Sequence, residues 1–194
     1  MKLELNDFEK ELKIIDIKQA VFINMIATPL IFVLFGAIFY RLHKEVWLTV
    51  FSVPTDWALF FLRLLLAFVI YILGVVMHEL IHGATWAMFL KGGFKFIEFG
   101  IMRKYGTPYC HSKSPMKVKH YIIGGIMPSI ILGFIPLVCG LVIGNFWVML
   151  FGFLFTTASI GDFMVVKLLM GENMNDYAED HPLEAGCYVY RQKK

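Results

Sequence analysis

The stretch GVVMHELIHGATW, residues 74–86, sets two histidines and a glutamate inside an apolar run that extends from Trp57 to Leu90. At about 1.5 Å per residue a helix of that length measures roughly 50 Å, more than the ~30 Å hydrocarbon core of a bilayer, so part of it must tilt or project. A carboxylate in such a span costs about 2–3 kcal/mol even on lenient insertion scales, and ionisable groups at that depth are kept for function by default. The polar trio His78, Glu79 and His82 is therefore the first candidate for chemistry.

Reading outward, the whole chain has the composition of an integral membrane protein. Of its 194 residues 58% are hydrophobic, 16% aromatic and only 17% charged, with a mean hydropathy of +0.67, far from soluble usage. The net charge of +3 is too small to argue for a nucleic-acid partner. Cys110, Cys139 and Cys187 are odd in number and lack C-x-x-C spacing, which argues against both a disulfide framework and a cysteine zinc site.

The expected architecture is a single all-α membrane domain over 1–194, with about four transmembrane helices and a small cytoplasmic β-hairpin or sheet. Residues 1–18 mix charges with Leu3, Leu5, Phe8, Leu12, Ile15 and Ile17, a pattern that suits an amphipathic surface helix. Spans are expected at about 20–40, 57–90, 121–143 and 146–170. Between the second and third, the basic segment 91–119 holds FKFIEFGIM and TPYCHS around RKYG, which reads as a hairpin. The tail 171–194 reads as solvated, Asp176, Glu179, Asp180, His181 and Glu184 included, with CYVYR able to add a strand to the hairpin. Fourteen basic residues flank one end of these spans, against Arg41 and Lys44 at the other. The positive-inside rule then puts both termini and the 91–119 loop in the cytoplasm of a multi-pass protein, taken as one of the bacterial cytoplasmic membrane.

His78 and His82 are four residues apart, about 40° of rotation on a helix, so both imidazoles project from one face as a shared metal requires. In the H-E-x-x-H pattern the histidines hold Zn²⁺ and the glutamate acts as a general base, a role that falls to Glu79. A third ligand should come from another helix at the same depth. Asp162, the only acid in the last span, lies eight residues before the end of that span, as His82 does in its own, and both positions are about 12 Å in by helix rise. Asp162 could instead pair with Lys167, and His111 or His120 could ligate instead of it.

His78-Glu79-x-x-His82 in a span, a basic strand-like loop, the GGIMPS span and the late Asp162 together resemble the site-2 protease superfamily of intramembrane zinc metalloproteases. More narrowly, YCHSKSPMKVKHYIIGGIMPSIILG, SIGD and DHPLEAGC are similar to the small bacterial membrane proteins of the putative zincin peptidase family. The resemblance covers roughly 70–190. It implies a zinc endopeptidase of membrane-embedded or membrane-proximal substrates, with His78, His82 and Asp162 as ligands and Glu79 as base. The superfamily's usual Asn-x-x-Pro…Asp-Gly setting is not reproduced, because Gly161 precedes Asp162 and Phe163 follows it. A substrate must be extended where it is cut, and a strand edge within 94–112 could hold it by strand addition. The competing readings are a zinc or proton-coupled transporter and a non-catalytic membrane binding protein. No internal repeat supports the first, and retention of Glu79 beside both histidines weighs against the second.

Overall fold

The structure is a computed structural model, and it describes residues 7–102 and 106–193. The chain runs β1 (Phe8–Ile14), α1 (Ile17–Leu42), α2 (Lys44–Val50), α3 (Trp57–Phe89), β2 (Ile97–Met102), β3 (Thr107–Ser112) and β4 (Met116–Lys117). It continues as α4 (Val118–Pro128), a π-helical turn (Ser129–Phe134), α5 (Ile135–Ile143), α6 (Phe146–Ala158), α7 (Ile160–Leu169), β5 (Tyr177–Asp180) and β6 (Gly186–Gln192). Three helical segments are long and apolar enough to cross a membrane: Ile17–Leu42, Trp57–Phe89 and Val118–Ile143. A fourth is added if α6 and α7, bent by 42° at their junction, count as one.

Two compact units can be separated, one of residues 7–21, 79–128 and 161–193 and one of residues 22–78 and 129–160. The second is purely helical. Its core of Phe39, Leu137, Phe146, Met149 and Phe153 is closed by glycines that let α5 and α6 approach to backbone contact. A Cβ on Gly140 would lie 2.2 Å from Met149 N, and one on Gly152 2.1 Å from Leu137 N. Small residues at such a crossing are what a membrane helix pair needs, since lipid tails supply no hydrophobic drive to associate. The two helices can be joined tightly because Gly144 takes a left-handed φ of 72° and the Asn145 side chain caps α6 by accepting from Trp147 N and Val148 N.

The other unit carries the sheets. The hairpin β2–β3 pairs Ile97 with Ser112 through Met102 with Thr107, as the sequence pattern suggests. A four-stranded antiparallel sheet, ordered β1-β6-β5-β4, is larger than that pattern predicts. Residues 8–14 are a strand and not part of a surface helix, while residues 1–6 lie outside the described residues. The apolar spacing of the segment is compatible with either period. Strand wins because β6 offers a partner for all seven residues, from Phe8 opposite Gln192 to Ile14 opposite Gly186. CYVYR likewise does not extend the hairpin; it forms the centre of the larger sheet, between β1 and β5. The acidic tail is folded rather than solvated. Ala178, Cys187 and Val189 are fully buried in a core with Trp86, Val118, Tyr121 and Leu169, and Glu172 ties Lys13 of β1 to Arg191 of β6.

Candidate metal centre

Helix α3 carries His78, Glu79 and His82 without interruption, and α7 carries Asp162 in its first turn, just past the bend. One ligand atom from each of His78, His82 and Asp162 can be chosen so that all lie within 4.8 Å of one another. His82 Nε2 is 3.6 Å from Asp162 Oδ1. Two ligands about 2.0–2.2 Å from a tetrahedral zinc stand roughly 3.3 Å apart, so this spacing suits a shared ion better than a direct hydrogen bond. Among the described residues this is the group able to hold a metal.

The imidazole of His82 is held from behind. Its Nδ1 lies 2.8 Å from the carbonyl oxygen of Gly124 in α4, so Nδ1–H donates there and Nε2 is left as the lone-pair nitrogen facing Asp162. That carbonyl is available for a reason visible in the chain. Its partner within the helix would be the N–H four residues on, at Pro128, which has none. Gly124 serves a second purpose: a Cβ there would lie 2.1 Å from Cδ1 and Nε1 of Trp86. Trp86 stacks on His82 and on Tyr121, with ring centroids 5.2 Å apart in each pair, and donates its indole N–H to the Tyr121 carbonyl at 3.1 Å.

His78 is 9% exposed and lies near-parallel to Phe155 of α6, with ring centroids 6.3 Å apart. Gly74, one turn earlier in α3, makes room for that ring, since a Cβ there would sit 2.5 Å from Phe155 Cζ. Gly83, directly after His82, does the same for Phe99 of β2. The hairpin thus packs against the helix that carries the histidines. Cys110 of β3 is buried, and burial first, then the charges of Glu79 and Asp180, push its thiol far above the ordinary value, so it is no nucleophile near neutral pH.

His111 and His120 do not join the group. His120 stacks on Phe89 with centroids 4.1 Å apart. His111 lines a separate cavity of about 400 Å³ with Glu98, Tyr109, Asp180 and Tyr188, and burial lowers its pKa. Four residues around the centre escape a reading by motif: Trp86, Tyr121, Gly124 and Asp180. For Gly124 a signal exists, namely a glycine four residues before a proline in a span. Asp180 has none. Burial pushes its carboxyl up to about 6, against the pull of hydrogen bonds from Tyr121 and from the Ser112 N–H.

A family model described as "putative zincin peptidase" matches residues 71–177, a stretch that contains His78, Glu79, His82 and Asp162. The chain belongs to that family. No curated protein and no solved structure matches it. Membership implies zinc as the metal, and the donor set fits, because two imidazoles and one carboxylate are donors that zinc accepts.

Proposed function

We propose that this chain is an intramembrane zinc metalloprotease of the site-2 protease type. The observation that carries the reading is the convergence of His78, His82 and Asp162, with His82 Nε2 turned toward Asp162 by its Nδ1–H bond to Gly124. These three residues would hold the ion. Zinc bound there would supply Lewis acidity to water and to a peptide carbonyl. Glu79, half-buried beside the histidines, takes the proton of the attacking water and returns it to the leaving amine nitrogen. His78, Glu79 and His82 in a helix of spanning length, with Asp162 in the bent pair α6–α7 that passes for a span only when taken together, support a membrane-embedded centre, and the fourteen-to-two distribution of basic flanking residues supports termini and hairpin on the cytoplasmic side of a bacterial membrane.

The hairpin supplies a place for an extended substrate. Pro108 has no N–H, so its pair with Ile101 is a non-hydrogen-bonded one. The bond from Lys113 N to Phe96 O fixes the same alternation, in which residues 98, 100 and 102 of β2 bond to β3. Ile97, Phe99 and Ile101 then turn their backbone groups to the outer edge of β2, where no strand pairs among the described residues. A substrate segment unwound at the cleavage point can add there, beside α3.

The test uses wild type and the variants Glu79→Gln, His78→Ala and Asp162→Ala, each co-expressed with candidate single-span membrane proteins whose cleavage is followed by gel, and each purified for metal analysis. Glu79→Gln keeps its zinc and loses about 10²- to 10⁴-fold in cleavage rate, the usual worth of a general base. His78→Ala and Asp162→Ala lose tightly held zinc. Cleavage by Glu79→Gln at the wild-type rate would exclude it as the base, and full zinc retention by Asp162→Ala would remove it from the ligand set.

A further inference from the structure

Asp180, the last residue of β5, lies three residues past the stretch that the family model matches and outside the ligand group. Its two carboxylate oxygens serve two different elements. Oδ2 accepts from the backbone N–H of Ser112, at the end of β3, at 2.7 Å, and Oδ1 accepts from the hydroxyl of Tyr121 in the first turn of α4. That turn is where the supports of His82 originate. The Tyr121 carbonyl holds the Trp86 indole N–H, the Tyr121 ring stacks on Trp86, and the carbonyl of Gly124, three residues on, holds His82 Nδ1. Trp86 is 4% exposed and Tyr121 2%, so both rings are enclosed by protein.

We propose that Asp180 is a positioning residue for the metal-binding imidazole of His82, acting through Tyr121 and the first turn of α4. It fixes where Tyr121 stands, and with it the carbonyl that accepts from Trp86 and the one that accepts from His82. The same carboxylate pins β3, so the hairpin and the imidazole share one anchor. The inference rests on the metal centre proposed above and concerns what holds that centre in shape. Outer partners of metal-ligating histidines govern affinity by about 10- to 100-fold, and an anchor acting through one of them belongs at the lower end of that range.

The experiment measures three things on the full chain purified in detergent: zinc affinity by competition with a chromophoric chelator, the visible d–d spectrum with Co²⁺ in place of Zn²⁺, and thermal unfolding without metal. The variants are Asp180→Ala, Tyr121→Phe, their combination, Asp180→Asn, and Glu172→Gln as a control that removes an ion pair elsewhere in the same unit. Asp180→Ala and Tyr121→Phe each weaken zinc about 10-fold and shift the Co²⁺ bands. The double variant goes little further, because the two act in one chain of contacts. Asp180→Asn recovers part of the affinity, since its oxygen can still accept from Ser112 N–H while its amide donates to the tyrosine oxygen. Glu172→Gln melts lower with affinity and spectrum unchanged. If Asp180→Ala does not fold, Tyr121→Phe, which loses a single hydroxyl, decides alone. Lower melting temperatures with wild-type zinc affinity and Co²⁺ spectrum would make Asp180 a structural residue only and overturn the inference, as would additive losses in the double variant. Failure of wild type to bind either ion would remove the metalloprotease reading and this inference with it.

Discussion

Replacing Gly124 with alanine tests how tightly the support of His82 is built. The added Cβ would lie 2.1 Å from two atoms of the Trp86 indole, more than an ångström short of ordinary contact. Trp86 is held against swinging clear, because it stacks on both His82 and Tyr121 and is bonded through its N–H. The strain must be relieved by α4 moving away from α3, and a displacement of about an ångström takes the 2.8 Å contact between His82 Nδ1 and the Gly124 carbonyl beyond hydrogen-bond range. Overpacking of this kind costs about 1–3 kcal/mol of stability, and loss of the imidazole's outer partner costs about 10- to 100-fold in metal affinity. Both are read on the purified chain, by thermal unfolding without metal and by zinc competition. Gly161→Ala is the matched control: it neighbours Asp162, a Cβ there meets nothing within 4 Å, and helix propensity gives it up to about 1 kcal/mol of added stability. A Gly124→Ala protein that melts and binds zinc like wild type would refute the packing argument, and with it the role assigned to the Gly124 carbonyl.

Two further outcomes follow from charge. The Glu172 carboxyl is held at about 2 by its hydrogen bonds to Arg191 and, after burial opposes them, to Lys13. Its folded value is depressed, so the stabilisation is fully present above its ordinary value of 4.5 and fades as pH falls from there toward 2. Melts over that range should show the slope in wild type and a smaller one in Glu172→Gln, which loses about 1–2 kcal/mol at neutral pH once the exposure of Arg191 is discounted. A cysteine introduced as Lys113→Cys should resist an impermeant thiol reagent added outside intact cells and react after lysis; labelling from outside would reverse the proposed orientation.

The helical part of the fold was legible because its signals are local. A helix long and apolar enough to span announces itself by length and hydropathy, and α3, with its H-E-x-x-H, ends within a residue of where the sequence puts it. Asp162 could be selected by matching helix depths, since a lone acid is costly to place in an apolar segment unless it has a partner there, and the structure does bring it to His82. What stayed hidden depends on partners distant in the chain. Residues 8–14 become a strand only because β6, almost 180 residues later, is there to pair with them. Asp180 stands in a run of acids that would be solvated by composition alone, and its burial requires Tyr121 and Ser112, neither of which the tail can specify. The break between α6 and α7 was likewise unreadable, because Ser159 and Gly161 are as compatible with a continuous helix as with the 42° bend that sets Asp162 in a first turn.

The way His82 is supported follows from where it sits. A metal-ligating histidine needs an acceptor behind its second nitrogen, and in an aqueous site a carboxylate can provide one. Inside a span a further ionised group would cost several kcal/mol to insert, unless it were itself paired. A backbone carbonyl carries no net charge, but in a helix it is already committed to the N–H four residues on. Pro128 removes that commitment at Gly124, and the absence of a side chain on Gly124 lets the tryptophan that walls the imidazole come close. The charged Asp180 is instead placed at the end of β5, outside the long apolar helices, and its hydrogen bond toward the centre runs through the neutral hydroxyl of Tyr121. The direct hydrogen-bond support of His82 thus comes from an uncharged group, and the carboxylates within the apolar helices are confined to Glu79 and Asp162, the two for which the proposed chemistry has a use.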